Sequence, residues 1–329
     1  MRLLLAFFMI VGLAAGSRLF AEKHYQNQFT NWMVVQDRQY DAYEFRTRYS
    51  AFKDNLDFIH RWNAVNKETE LGATVFADLT NEEYRAVYLG MNVDASNFAA
   101  QPATLDQVYQ PVRSTLDWRN NGAVGRVKDQ GQCGSCWAFS TTGAVEGAHQ
   151  IATGNFVSLS EQQLMDCSRS YGNHGCQGGL MDSAMSYIVK QGGINTEESY
   201  PYEMRDSYTC KYNPANNGAK LSGYSNIKRG SEADLAAKLN IGPVAIALDA
   251  SHSSFQLYKS GVFYDPACSS TSLSHGVLAV GYGTEGSSAY WIVKNSWGTR
   301  WGDAGYIWIA KDRNNHCGVA TMSSIPIHV

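Results

Sequence analysis

Gln130-Gly131-Gln132-Cys133-Gly134-Ser135-Cys136-Trp137 is the most informative stretch of this 329-residue chain. It leads into a run that reads as one helix over 135–152, with Ser135 at its start and Gly154 just beyond its end. A bare Cys-x-x-Cys admits three chemistries. A zinc half-site needs two more ligands at suitable spacing, and neither a second Cys-x-x-Cys nor a closely spaced histidine pair follows. A thioredoxin-like redox pair wants a βαβ setting, which the surrounding pattern lacks. The third reading is one structural cysteine beside one nucleophile. Cysteine arithmetic favours it. The chain has seven cysteines, at 133, 136, 167, 176, 210, 268 and 317, and an odd count in a secreted chain leaves one thiol over.

The physical setting suits a nucleophile. At a helix start, Cys136 would meet unpaired backbone N–H groups and the positive end of the macrodipole. Both favour the thiolate, which is the competent nucleophile. The Cys136 N–H could also face a developing oxyanion, with the Gln130 side-chain amide as a second donor. The plain alternative for Gln130 is a surface glutamine. A base is needed next. Of eight histidines, His275 stands out because it directly precedes Gly276-Val-Leu-Ala-Val-Gly-Tyr-Gly, a buried-looking strand. The ends of rigid elements are good places for functional groups. The third requirement is an orienting group. Tyr290-Trp-Ile-Val-Lys-Asn295-Ser-Trp297-Gly begins as a buried strand and ends in Asn-Ser-Trp. The Asn295 amide oxygen could accept from the imidazole and fix its tautomer, with Trp297 shielding that bond from water. The alternative is that Asn295 only turns the chain.

Outward from this centre, composition shifts at residue 112, after which glycine, tryptophan and cysteine become frequent. Helices are expected at 160–166 and 180–191. Short strands are expected at Val244–Leu248, Gly276–Tyr282, Tyr290–Lys294 and Tyr306–Ala310. Helices first and strands second indicate an α+β fold, two subdomains with a cleft between them. Residues 17 to about 90 are cysteine-free and read as helical. Phe45, Tyr49, Phe52, Leu56 and Ile59 make one apolar stripe. Glu44, Arg48, Phe52, Asn55, Ile59 and Asn63 also share a face, for which periodicity alone favours exposure to solvent. Residues 91–111 lack periodicity and carry two prolines, as an exposed, protease-sensitive linker would.

Residues 1–16 combine Arg2, an apolar run from Leu3 to Leu13, and small Ala14, Ala15 and Gly16. That run is shorter than the ~20 residues a membrane span needs, and it reads as a cleaved signal peptide rather than a buried helix. No other apolar stretch reaches spanning length, so a soluble product in an oxidising compartment is expected. A net charge of -3 gives no reason to expect nucleic acid or an anionic membrane as partner. No Asn-x-Ser/Thr sequon is present, which disfavours N-glycans.

Cys-Gly-Ser-Cys-Trp with a histidine and an asparagine far downstream resembles the papain and cathepsin signature. Here His275 follows Cys136 by 139 residues and Asn295 follows it by 159. Gln130, Ser274-His275-Gly276 and Asn295-Ser296-Trp297-Gly298 match the family's local contexts in the same order. The Glu44…Asn63 set resembles the interwoven Glu-Arg-Phe-Asn-Ile-Asn pattern of cathepsin L-type propeptides, which revises the solvent-facing expectation.

The resemblance implies a papain-like α+β peptidase at 112–329 behind a helical inhibitory propeptide at 17–111. That propeptide would run through the cleft in the reverse direction to substrate and be removed near Val112. The resemblance implies disulfides Cys133–Cys176, Cys167–Cys210 and Cys268–Cys317. It makes Cys136, His275, Asn295 and Gln130 the catalytic set and has Gly178 and Gly179 contact extended substrate. It places Leu180, Met181, Ala247, Leu273, Gly276 and Met322 in the S2 pocket and counts Trp297 among the substrate-binding residues. With Met322 at the pocket floor instead of a carboxylate, bulky apolar P2 residues are expected over arginine. No occluding insertion with paired histidines is visible, so endopeptidase activity is expected.

No metal or organic cofactor is implied. The implied partners are protein and peptide substrates, the chain's own propeptide and cystatin-type inhibitors, with a monomer as default and a lysosome-like or extracellular destination. One departure is visible: in Gly72-Ala-Thr74-Val-Phe76-Ala-Asp78, Thr74 replaces the usual asparagine. Two rival classes are a peptidase-like binder, which would have lost Cys, His or Gln, and a redox protein using Cys133 and Cys136, which thiol counting would distinguish.

Overall fold

The structure is a computed structural model that describes residues 18–91, 93–94 and 113–327. The expected signal peptide, Val112 and most of the 91–111 linker lie outside the described residues. No helix among those described is long and apolar enough to cross a membrane.

The N-terminal segment folds around three helices, α1 (Glu22–Gln36), α2 (Ala42–Val65) and α3 (Asn81–Tyr88). Asp41 caps α2 through the amides of Tyr43 and Glu44. A capping box between Thr80 and Glu83 starts α3. Phe29, Trp32, Phe52 and Ile59 form a small core with Leu71, Ala77 and, from the C-terminal part, Leu257. Burying each of these phenylalanines stabilises by about 1.5–3 kcal/mol.

The face that periodicity alone assigns to solvent packs inward from Arg48 to Asn63, with Glu44 left exposed at its start. Arg48 bonds Glu44 and Glu83. Asn55 donates to the carbonyls of Ala77 and Leu79, and Asn63 exchanges two hydrogen bonds with the Leu71 backbone. Each amide satisfies main-chain groups of an irregular segment that crosses the helix, and periodicity carries no sign of that segment.

One short strand interrupts the helical expectation for this segment, and a second lies in the expected linker. Thr69–Leu71 adds antiparallel to Tyr258–Phe263. Val93–Asp94 adds antiparallel to Ser272–Leu273. The region read as exposed linker therefore starts differently, because Met91 and Val93 are buried. Alternation over three residues is too short to register as a strand pattern, and the edges of the C-terminal part supply the pairing.

In that C-terminal part, α4 (Cys136–Thr153), α5 (Glu161–Cys167) and α6 (Met181–Gln191) precede most of the sheet. The strand order is Thr69–Leu71, Tyr258–Phe263, Tyr306–Ala310, Ser288–Lys294, His275–Glu285, Val244–Leu248, Ser323–Ile327 and Gly223–Asn226. Among the described strands only the pairing of Tyr306–Ala310 with Tyr258–Phe263 is parallel. Helix α4 is buried from Cys136 to Gly147 and lies on His275–Glu285. Its C-terminus closes on Gly154 in the left-handed region, φ 76°. Helix and strand together bring residues 136 and 275 to one place.

Candidate active site

Ser135 occupies the position before α4, but its side chain makes no cap. Its hydroxyl instead lies 2.6 Å from Tyr202 Oη, and Tyr202 Oη lies 2.7 Å from the Gln130 carbonyl. Cys136 follows as the first helical residue and is fully buried. It is the free cysteine, because disulfides join Cys133 to Cys176, Cys167 to Cys210 and Cys268 to Cys317. His316 approaches the last pair closely enough to suggest a metal cluster, but both sulfurs there are spent in the disulfide.

The Gly276 amide donates to Cys136 Sγ at 3.4 Å, so the peptide that links His275 to Gly276 abuts the thiol. A side chain at Gly276 would crowd the start of α4, since a Cβ would meet the Trp137 Cα at 3.1 Å. His275 Nε2 lies 2.8 Å from Asn295 Oδ1. That oxygen can only accept, so Nε2 carries the proton. The other ring nitrogen, Nδ1, is buried without a hydrogen bond. Trp297 stacks on the imidazole with ring centroids 4.4 Å apart. Gln130 is oriented from the same turn: Ser296 Oγ and Trp297 Nε1 both donate to its Oε1, at 2.8 and 3.1 Å. Its Nε2 is thereby aimed at the carbonyls of Tyr88 and Cys133.

The cleft is occupied by the chain's own N-terminal segment. Gln130 Nε2 donates to the Tyr88 carbonyl at 3.0 Å. The Gly90 amide reaches the Cys136 sulfur. The Gly90 carbonyl accepts from Gly179 N at 3.3 Å, and Met91 N donates to the Ser274 carbonyl at 3.2 Å. Gly178 also closes on Gly90, leaving no space for a Cβ. Met91 and Val93 share one apolar cluster with Met181, Ala247 and Leu273, and Leu180 and Met322 pack at its margin. Ala247 pairs with Gly276 across the sheet and bonds the Met322 carbonyl. On the other side, Phe76 and Tyr84 pack edge-on against Trp297. Gln256 holds the segment through the carbonyls of Phe76 and Leu79, and Thr74 Oγ1 bonds the Gln256 carbonyl.

Burial sets the ionisation. It pushes the Cys136 thiol up, against the opposing pull of amides at Gly276, Gly90, Trp137 and Cys136 itself. It pushes His275 down to about 4, despite the bond to Asn295. Both groups are therefore neutral at ordinary pH in this covered state. Tyr88, Gly90, Gln256 and Tyr202 were not legible as site residues. Each acts through a backbone approach or a single hydrogen bond, and a lone tyrosine or glycine carries no spacing signal.

Residues 112–327 match the papain family cysteine protease profile, and residues 29–84 match the cathepsin propeptide inhibitor domain. Cysteine proteinase 5 of Dictyostelium discoideum is 48% identical over 339 residues, covering 97% of both chains. Digestive cysteine proteinase 1 of Homarus americanus is 50% identical over 292 residues, covering 87% of this chain and 89% of that one. The structure of digestive procathepsin L 3 from Tenebrio molitor larval midgut superposes with a TM-score of 0.83 at 41% identity, covering 92% of this chain and 99% of that one. The chain belongs to the papain family of cysteine proteases and is made as a zymogen that carries its own inhibitor domain.

Proposed function

We propose that the protein is a cysteine endopeptidase in which Cys136 is the nucleophile and His275 its acid–base partner. Asn295 orients the imidazole through its bond to Nε2. Gln130 Nε2 and the Cys136 amide stabilise the oxyanion. Attack of the thiolate on a peptide carbonyl gives a thioacyl enzyme. His275 protonates the leaving amine and then activates water for deacylation. The observation that carries this assignment is the convergence at one thiol: Cys136 at a helix start, the His275–Gly276 peptide against its sulfur, and Gln130 aimed by Ser296 and Trp297.

We also infer the finer specificity and the life history. Gly178 and Gly179 hold extended substrate by its backbone. Leu180, Met181, Ala247, Leu273, Gly276 and Met322 form an S2 pocket for bulky apolar residues such as Leu or Phe. The packing of Met91 and Val93 into that cluster supports this preference. Residues 17–111 are the propeptide, removed by cleavage in the linker near Val112, and 112–329 are the active peptidase. The signal peptide and disulfides support a secretory route to a lysosome-like compartment or the exterior, where proteins and peptides are substrates and cystatin-type inhibitors are partners of a monomer.

The test uses the recombinant precursor at mildly acidic pH under thiol. Self-cleavage is followed on a gel, and turnover is followed on Phe-Arg and Arg-Arg fluorogenic peptides, with Cys136→Ala as control. Cleavage near Val112 and Phe-Arg turnover that vanishes in the variant are expected. An enzyme that stays inert after correct folding and removal of the propeptide in trans would refute the assignment.

A further inference from the structure

We propose that Asp182 determines P2 specificity, because its hydrogen bond to Ser324 fixes the width of the S2 pocket. The inference rests on the S2 assignment made above.

That pocket has two halves, carried by different elements. The sheet side supplies Ala247, Leu273, Gly276 and Met322, and backbone bonds lock it together. Ala247 pairs with Gly276. The Ala247 amide donates to the Met322 carbonyl at 2.9 Å, and the Ser274 amide, next to Leu273, donates to the Leu248 carbonyl at 2.9 Å. The helix side supplies Leu180 and Met181, at the start of α6. It is held from elsewhere: the Leu180 amide donates to Asn173 Oδ1 at 2.8 Å, and Asn173 Nδ2 donates to Ser168 Oγ at 2.9 Å. Met181 and Met322 meet in one apolar cluster. Apolar attraction is non-directional, so it does not by itself set the distance between the two halves.

A directional contact next to both methionines does. Ser324 Oγ donates to Asp182 Oδ1. Asp182 directly follows Met181, and Ser324 lies two residues after Met322. Ser324 is a buried and rigid point on the sheet, paired with Ala245 on one side and with Asn226 on the other. Its Oγ also lies 2.9 Å from Asn226 Oδ1. One turn further along the same face of α6, Ser186 Oγ donates to Tyr224 Oη at 3.1 Å. Helix and sheet therefore meet along a polar seam, and its first member sits beside S2.

Charge pairing does not account for Asp182. Burial pushes its carboxyl up, and the groups that act on it, Ser324 and Asn226, are both neutral. An acid in the first turn of a helix is favoured by the macrodipole. A solvated aspartate would serve the dipole equally well, whereas this one is half-buried and gives up water to reach Ser324. Without that bond the start of α6 can shift against the sheet, and the Met181 and Met322 walls close less tightly on a P2 side chain. A bulky side chain then loses more contacts than a small one. The scissile bond is remote from this change, so KM for bulky P2 residues rises while kcat holds.

The experiment matures the full-length precursor and measures kcat and KM on fluorogenic peptides with Phe, Leu or Ala at P2 and Arg at P1. The enzymes are wild type, Asp182→Ala, Ser324→Ala, the two together, Asp182→Asn, and Ser186→Ala as a control for general loosening of α6. The preference for Phe over Ala in kcat/KM should narrow about fivefold in each of Asp182→Ala and Ser324→Ala, through KM, and the double variant should go no further. Asp182→Asn keeps an acceptor for Ser324 and should keep the wild-type preference, as should Ser186→Ala. An unchanged preference in Asp182→Ala and Ser324→Ala would overturn the proposal, and so would an equal narrowing in Ser186→Ala or Asp182→Asn. Should Asp182→Ala fail to fold, Ser324→Ala decides on the same ratio. Met322→Glu, assayed alongside, separates the two levels. An unchanged P2 profile there removes the S2 assignment itself, whereas a changed profile there with unmoved Asp182 and Ser324 variants overturns the role of this bond alone.

Discussion

Replacing Gly90 by alanine should unlock the zymogen without touching the peptidase. A Cβ on residue 90 would lie 1.9 Å from the Gly134 carbonyl oxygen and 2.4 Å from its carbon, both backbone atoms. That wall cannot yield: Gly134 N is bonded to the Cys176 carbonyl at 3.0 Å, and the preceding Cys133 is joined to Cys176. The propeptide strand must move instead. It then loses the contacts of Tyr88 with Gln130, Gly90 with Gly179, and Met91 with Ser274. Three hydrogen bonds at 0.5–1.5 kcal/mol each make about 1.5–4.5 kcal/mol, or roughly one to three orders of magnitude in the open fraction. The assay is alkylation of Cys136 in the intact precursor at neutral pH. The thiol is fully buried, so its labelling rate follows the open population. The anchor formed by α1 to α3 and Gln256 is untouched, so the precursor still folds around its own inhibitor. A labelling rate within about threefold of wild type would refute the reasoning, since a gain of at least tenfold follows even from the low end of the range.

Three further outcomes are expected. Glu68 pairs with Arg313 and Glu70 with Lys259 across the boundary between propeptide and peptidase. Arg313 and Lys259 hold these two carboxyls below their ordinary range, so the contacts are present above ordinary glutamate pKa values and are lost as pH falls through the lowered ones. Both pairs are well exposed and stabilise by about 0.2–1 kcal/mol each, so Glu68→Gln with Glu70→Gln should move the onset of self-processing to higher pH by a few tenths of a unit. An unmoved onset on a gel would show that other groups sense acid. Asn295→Ala leaves His275 Nε2 buried without its acceptor, and kcat should fall roughly ten- to hundredfold with little change in KM; undiminished turnover would remove Asn295 from the mechanism. Met322→Glu should raise Arg-Arg turnover relative to Phe-Arg by about tenfold through a new charge pair in the pocket, whereas an unchanged ratio would place Met322 outside S2.

Local pattern was enough to single out Cys136, His275 and Asn295, because each sits at the end of a patterned element, whereas Gln130 lies in the loop before α4 and is singled out only by the motif around it. The main helices and strands were legible for the same reason: α4 and His275–Glu285 are long enough for burial to show in the sequence. What escaped depends on close approach between distant segments. Thr69–Leu71 and Val93–Asp94 are strands only because an edge receives them. Asn55 and Asn63 look like solvated side chains until the 71–79 segment crosses them. Ser135 fits the cap position by residue type, yet its hydroxyl goes to Tyr202, a tertiary partner 67 residues away. Gly90 is needed for a contact with Gly134 that no local periodicity encodes.

Covering the cleft also decides where the catalytic proton resides. Desolvation moves the two groups apart in the inactive direction, thiol up and imidazole down, so that sulfur keeps its proton and His275 stays neutral. The amides around the sulfur act the other way, and only one of the four, that of Gly90, belongs to the propeptide. When the strand leaves, the penalty of burial falls while the amides of Gly276, Trp137 and Cys136 remain. The thiol then shifts down and the imidazole up, each toward the charged form that stabilises its neighbour. On the proposed assignment, inhibition in this zymogen is both steric and electrostatic, and the same residues supply both: Tyr88, Gly90 and Met91 lie in the cleft by the very contacts that cover Cys136 and His275. Cutting the linker alone should leave the enzyme silent for as long as that strand stays in place, because activity requires water to reach the pair as well as peptide to reach the cleft.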